Sequence, residues 1–426
     1  MNGPDDGRVG TILHAADLHL GTPLQSLGSR LDPMIASEIS ERASRAFGNL
    51  VNVAVEEAVD IVVLAGDVYD TAEYEVRAQL RFTDGLRRLG DAGIRVFVAH
   101  GNHDPLTTGF RRAAQLPDNV TVFDPGDPQV HRVDLPGGHV VHVAGVSFAT
   151  KHETSNLAAL FRELETPAAA TVGVLHANVG SSTEHGPYAP CTTSDLESAP
   201  VGYWALGHIH KRAVHPIGPG RWWAYPGNLQ GRSSKASECG PKGFLLIPVT
   251  PDGFAEPEFR PCAEVRFERI DVDVSMCANL EEVIDAIEAS AVEGVEDRCT
   301  VVARVRLTGR SDLHTDLVKL GDVGLLEEVQ DRMGTSISYA VTKIEIATRT
   351  AVNREQILAR RDMRSALITR LDATTDRQEA LRKCLEGLNA QAQSRLAEML
   401  DASPELADEL FDLAEQRLFD VLDEVS

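Results

Sequence analysis

The chain lacks the marks of several protein classes. Its six cysteines, Cys191, Cys239, Cys262, Cys277, Cys299 and Cys384, are scattered and form no CxxC pair. That argues against a zinc ribbon and against a dense disulfide framework; thiols kept reduced in a cytoplasm are the simpler reading. No apolar run approaches the ~18 residues that would suggest a membrane span. Met1–Arg8 is polar, without the apolar stretch of a signal peptide. The expectation is a cytoplasmic protein with no membrane partner. Basic charge is also short, 41 Lys and Arg against 64 Asp and Glu, for a net charge of −23. This disfavours a broad basic groove holding DNA through phosphate contacts alone. It leaves room for a nucleic-acid enzyme, because bound divalent cations reverse the field locally. The acidity is uneven: Asp401–Ser426 carries nine carboxylates and one basic side chain, Arg417. A nucleic-acid partner would have to meet another surface. No repeat or low-complexity tract is present.

What is there reads as a large soluble protein. For 426 residues, a prior of ~150 residues per domain gives two or three domains. Val9–Ala15, Ile61–Ala65 and Ile94–Ala99 read as buried strands, with helix-forming stretches at Pro33–Val59 and Glu73–Ala92 between them. This alternation suggests βαβ units feeding a central sheet. Val140–Phe148, Thr171–Leu175, Trp204–Leu206 and Phe244–Val249 read as further strands with fewer helices between them, which suits a second sheet packed on the first. Pro251–Pro261, rich in proline and acidic residues, reads as a linker or domain edge. Beyond it, Val265–Val274, Leu280–Ala291, Thr300–Leu307 and Ser336–Ile346 describe a small α+β module. From Asn353 the pattern is helical, broken near Thr374-Thr375 and at Ser403-Pro404.

The chemistry lies at the ends of the strands. Asp17 and His19, Asp67, Asn102, His176, and His208 and His210 follow one another in order, each after an apolar run. In an extended segment residues i and i+2 point the same way, so Asp17 with His19, and His208 with His210, can each serve one ion. Gly66 and Gly101 precede Asp67 and Asn102, as tight turns close to a metal would require. The set offers oxygen and nitrogen donors and no thiolate. It suits two divalent ions such as manganese better than a structural zinc. Two close ions can clamp the attacking and leaving oxygens of a phosphoryl group. Of the other histidines, His14, His100, His142 and His152 are expected to pack or hydrogen-bond near strands. Trp222, Trp223 and Tyr225 are expected to be core residues of a strand.

The segments Asp17-Leu18-His19, Gly66-Asp67, Gly101-Asn102-His103-Asp104, His176 and Gly207-His208-Ile209-His210 resemble the calcineurin-like metallophosphoesterase signature. Within that superfamily the chain resembles SbcD-type DNA-repair exonucleases, in particular the YhaO-like branch. Supporting segments are residues 13–21 (LHAADLHLG), 66–70 (GDVYD), 188–191 (YAPC), 225–228 (YPGN) and 240–244 (GPKGF). Asn228 departs from the serine more often found there. The resemblance implies an α/β (α+β) fold: a four-layer β-sandwich flanked by helices, a small α+β cap and a helical C-terminal region. The expected domains are a phosphoesterase domain over 8–260, a cap that selects DNA ends over 262–350, and a partner-docking region over 351–426.

The resemblance also implies roles. Asp17, His19 and His210 would hold one ion, Asn102, His176 and His208 the other, with Asp67 bridging two Mn2+ ions. A metal-bound hydroxide would attack, and His103 would assist as the catalytic histidine, oriented by Asp104 or Asp70. Basic loop residues such as Arg111, Arg112, Lys211, Arg212 and Lys235 could position DNA, Arg232 and Lys242 being the preferred contacts. The leading expectation is a manganese-dependent DNA exonuclease in repair, whose C-terminal helices dock an SMC-like ATPase; those helices read equally as a self-packed bundle or a homodimer contact. The alternatives are a phosphodiesterase for cyclic nucleotides or other small phosphoesters, and a structural or regulatory subunit of an SMC-like complex.

Overall fold

The computed structural model describes residues 7–24, 27, 30–70, 76–106, 115–180, 186, 188–290, 299–334, 337–351, 354–360, 362–374 and 377–385, with 410 and 414. Arg111 and Arg112, the break expected at Ser403-Pro404 and most of the acidic terminal stretch lie outside these residues. The chain divides into two units, 1–309 with 315–348, and 310–314 with 349–426.

The first unit is built on two sheets. In one, Gly10–Ala15, Ile61–Ala65 and Arg95–Ala99 run parallel, flanked by Val120–Val122 and by the antiparallel Gly243–Thr250. In the other, Val140–Gly145, Thr171–His176, Tyr203–Gly207 and Arg221–Tyr225 run parallel. Gln129–Asp134 and Ala213–Gly218 close its edges antiparallel.

Both faces of the central strands are covered, which is why they read as unbroken apolar runs. The pleat sends Ile61, Val63, Phe97, Val172, Val174, Tyr203 and Ala205 into one shared core between the sheets. The alternate residues Leu13, Val62, Leu64, Val96 and Val98 face the helices Ala46–Glu56 and Val76–Asp91. On the far side, Leu175, Trp204 and Leu206 pack against Leu157, Phe161 and Leu196 of short helices. At ~1.5–3 kcal/mol for each fully buried large aliphatic, these three cores fix the register of both sheets. The result is four layers: helices, sheet, sheet, short helices.

Local signals set the helix ends. Asp32 accepts a hydrogen bond from Met34 N at 2.8 Å, and Pro33 occupies the first turn of Pro33–Ala43. Thr192 and Asp195 form a capping box before Thr193–Ser198.

A third, parallel sheet (Val265–Asp273, Thr300–Thr308, Tyr339–Ile346) carries the helices Leu280–Ala289 and His314–Met333. It shares a core with the helix Pro33–Ala43, where Ala36 and Ile39 meet Val265, Phe267, Val302 and Ala340. In the second unit, Arg310–Ser311 pairs with Arg349–Thr350, and the helices Arg354–Arg360, Met363–Asp372 and Arg377–Leu385 follow.

Two departures from expectation stand out. Pro251–Pro261 is no linker: Gly253–Phe254 and Glu258–Pro261 both pair with Gly243–Thr250. Proline is tolerated there because these are edge strands with no further neighbour to receive an N–H. The helix His314–Met333 also escaped the pattern. Gly321 breaks it at φ 75°, so its apolar residues do not fall on one face. Among the described residues no helix is long and apolar enough to cross a membrane, and Cys191, Cys239, Cys262, Cys277 and Cys299 are free thiols.

Candidate metal centre

Five parallel strands from the two sheets end at one place, and each end delivers part of the expected set. Asp17, Asp67 and Asn102 follow three strands of the first sheet; His176 ends one strand of the second sheet and His208 follows another. A crevice beyond the carboxyl ends of parallel strands is where α/β folds gather ligands. All seven side chains are buried or nearly so, His210 being the most open at 14%.

The loops are bound to one another. Asp17 N donates to Gly66 O at 3.1 Å and His19 N to Asp67 O at 3.0 Å. His208 N donates to both oxygens of Asp17, at 3.1 and 3.0 Å. Asp17, His19 and Asp67 have φ near +50°, and His208 lies at +101°. Such conformations cost on the order of 1–3 kcal/mol each for non-glycine residues and persist only where surroundings enforce them. Gly207 is required by close approach: a Cβ there would overlap the carbonyl of Ala65.

The donor set fits divalent ions, because acceptors converge without donors between them. His176 Nδ1–H donates to Ala65 O at 3.0 Å, and burial pushes its pKa down to about 4, so its Nε2 presents a lone pair. That lone pair faces Asn102 Oδ1 at 3.1 Å and Asp67 Oδ2 at 3.4 Å. His210 Nδ1–H donates to Glu238 Oε1 at 2.7 Å, which leaves its Nε2 facing His19 Nε2 at 3.3 Å and Asp17 Oδ1 at 3.8 Å. Burial and the charge of Asp67 hold the Asp17 carboxyl well above the usual range; burial and the charge of Asp104 push Asp67 up to about 7. A cation among these atoms would relieve all of these conflicts. Asp17, His19 and His210 form one group able to hold an ion, and Asp17, Asp67 and His176 another. His208 lies against His176, ring centroids 5.2 Å apart, and its Nε2–H donates to Gly186 O at 3.1 Å.

His103 stands at the rim, its side chain 33% exposed. Its Nδ1–H donates to Asp70 Oδ1 at 3.0 Å; that bond raises the pKa of His103 and lowers that of Asp70. Asp70 is thus the orienting carboxylate. Asp104 is occupied elsewhere, accepting from Val68 N, Tyr69 N and Gly101 N and lying 3.0 Å from His100 Nδ1.

Lys242 corrects an expectation. It is buried, and its ammonium donates to His210 O at 2.9 Å and Ser237 O at 2.6 Å. Two carbonyls hold it as a brace of the His210 loop. Arg232 remains at the site, 3.5 Å from Asp70 Oδ2 and 3.5 Å from Glu238 Oε1.

Glu238 was missed. Besides His210, it accepts from Asn228 Nδ2 at 2.8 Å and Arg232 N at 2.9 Å. Burial opposes its charge, but the His210 bond, with Arg232, carries its pKa down to about 2. It fixes the tautomer and ring orientation of His210 from behind, as carboxylates behind metal-binding histidines do. A lone Glu in a loop has no spacing to betray it. Asn228, the departure from serine, has the reach to donate to Glu238 and Gln230 O together. Of the other histidines, His14 is buried and shares a hydrogen bond with Tyr203 Oη at 2.8 Å, whereas His152 is exposed. Tyr225 is core, its hydroxyl bound to Ala177 O and Val179 N, while Trp222 and Trp223 are half-buried.

Residues 10–212 match the family model described as calcineurin-like phosphoesterase, and residues 267–349 match that of the metallophosphoesterase YhaO middle domain. The chain belongs to the calcineurin-like metallophosphoesterases, a family that uses divalent metals. Among named relatives, it is 36% identical over 282 residues to metallophosphoesterase YhaO of Bacillus subtilis, covering 65% of this chain and 66% of that one. It is 31% identical over 229 residues to the DNA double-strand break repair protein Mre11 of Aeropyrum pernix, covering 51% and 53%. It is 30% identical over 135 residues to a subunit of the nuclease SbcCD of Bacillus subtilis, covering 31% and 29%. The chain thus spans just under two thirds of the first relative's length and about half or less of the other two.

Proposed function

We propose that this metallophosphoesterase is a DNA exonuclease of DNA repair that uses two Mn2+ ions and works with an SMC-like ATPase. The observation that carries the phosphodiesterase reading is the convergence of acceptors beside a rim histidine whose protonated form is stabilised. The relatives named for double-strand break repair and for a nuclease support DNA as substrate.

Asp17, His19 and His210 would hold one ion and Asn102, His176 and His208 the other, with Asp67 between them. The ions would supply Lewis-acid polarisation of the phosphoryl oxygens and a clamp for the two reacting oxygens. Everything else falls to the chain. Asp70 holds His103 by Nδ1, so the proton on Nε2 is free to pass to the leaving alkoxide. Glu238 keeps the lone pair of His210 turned inward. Arg232 stands where it can meet a non-bridging phosphate oxygen.

In this reading residues 8–260 carry the chemistry, 262–350 select DNA ends, and 351–426 dock the partner or a second copy, in the cytoplasm. The test is hydrolysis of labelled linear duplex DNA by the full chain with Mn2+, alone and with its ATPase. Loss of digestion on chelation and its return with Mn2+ is expected. DNA ends untouched under both conditions, with a small chromogenic diester still hydrolysed, would move the assignment to small phosphoesters.

A further inference from the structure

We infer that the cleft running outward from His19 and Arg232 binds the backbone of a single nucleic-acid strand whose end lies at the metal centre. This rests on the phosphodiesterase reading above and names how that site would grip its substrate. The cleft has a volume of about 700 Å3 and passes between the helices Pro33–Ala43, Ala46–Glu56 and Val76–Asp91.

Its charge is opposite to that of the chain. Arg45, Arg77, Arg81, Arg88 and Arg232 line it, against the carboxylates of Glu41 and Asp84 and with no lysine. A protein of net charge −23 has therefore gathered five guanidinium groups beside one phosphoester site. Arginine's planar fork matches phosphate oxygens in pairs, which a lysine cannot do. The contacts these arginines now make are exchangeable. Arg81 donates to Ser44 Oγ at 2.7 Å and meets Glu41 at 3.4 Å, Arg88 donates to Asn52 Oδ1 at 2.7 Å, and Arg45 lies 3.4 Å from Glu264. All are at the surface, where such pairs hold weakly.

The spacing favours a strand over a small ester. Arg77, Arg81 and Arg88 fall at i, i+4 and i+11 on one helix face. With a rise of 1.5 Å per residue, the stripe is roughly 16 Å long. A stacked strand rises ~3.4 Å per nucleotide along its axis, so the stripe spans the length of about five nucleotides. A cyclic nucleotide or other small ester held at the metal centre would reach none of the far cations.

The test compares kcat and KM for single strands of about two to about twelve nucleotides, using the full chain with Mn2+. For the wild type, kcat/KM should climb at least about tenfold and level off near five or six nucleotides, as the stripe length requires. In the Arg77→Ala, Arg81→Ala, Arg88→Ala triple variant the climb should vanish through KM. The slope of log KM against log salt should fall by about 2, from ~0.7 per lost phosphate contact. The matching triple lysine variant should keep most of the salt slope. Arg87→Ala, on the same helix but outside the cleft, should behave as wild type and show that the helix tolerates losing a surface arginine. A triple variant with unchanged length dependence and salt slope refutes the inference, as does Arg87→Ala losing as much. A wild type that hydrolyses a small diester and short strands with no length dependence also refutes it and leaves the phosphodiesterase reading standing. A wild type that hydrolyses no phosphodiester with Mn2+ refutes that reading itself.

Discussion

Replacing Asp67 by asparagine should stabilise the metal-stripped protein while abolishing its response to metal. Asp67 is 2% exposed, and burial together with the charge of Asp104 pushes its pKa up to about 7 from an ordinary 3.8. A folded-state pKa above the unfolded one means that the folded protein binds this proton more tightly. Stability is therefore lost as pH rises from about 4 to about 7, and the full penalty applies above that range. At ~1.4 kcal/mol per pH unit, the ceiling is about 4 kcal/mol. Asparagine cannot ionise, and its oxygen can still accept from His103 N, a bond of 2.9 Å in the native site. After exhaustive chelation, urea unfolding at pH 8 should find Asp67→Asn more stable than wild type by roughly 2–4 kcal/mol, shrinking to about 1 kcal/mol near pH 4.5. Added Mn2+ should reverse the order by stabilising only the wild type. A metal-stripped variant no more stable than wild type at pH 8, or a gap that does not change with pH, would refute the electrostatic account of this site.

If His103 assists proton transfer as proposed and holds no metal, His103→Ala should lower kcat by about 10²–10⁴-fold with metal content by elemental analysis unchanged. Glu238→Ala should weaken Mn2+ binding by about 10–100-fold in a chelator competition, while Lys242→Ala should act mainly on stability. His14, buried and with its pKa lowered to about 3, stays neutral in the folded state while the unfolded chain takes up a proton below about 6.5. Stability should therefore fall by about 1.4 kcal/mol per unit below pH 6.5 from this group, a slope that His14→Gln should remove in urea titrations.

Sequence and structure agree best where burial is two-sided. Ile61–Ala65 was legible to the residue because every position is apolar and Gly66-Asp67 ends it. The edge strands Gln129–Asp134 and Ala213–Gly218 were not, because half of their side chains meet water and their patterns resemble loops. The convergence of the candidate donors was legible because each follows a strand. The supporting carboxylates were not: Asp70, Asp104 and Glu238 look alike as acids in loops. Only the folded chain gives the first to His103, the second to backbone amides and the third to His210.

Because the seven donors hang from five strand ends in two sheets, no contiguous piece of the chain owns the metal centre. Asp17 and His208 are 191 positions apart yet share two hydrogen bonds. A fragment carrying only the first sheet would have Asp17, His19, Asp67 and Asn102 and no facing imidazoles from the second. Ion affinity should thus appear late in folding, only after the sheets dock. Bound ions would then act as a clasp across the sandwich, so that loss of metal and separation of the layers become one cooperative event.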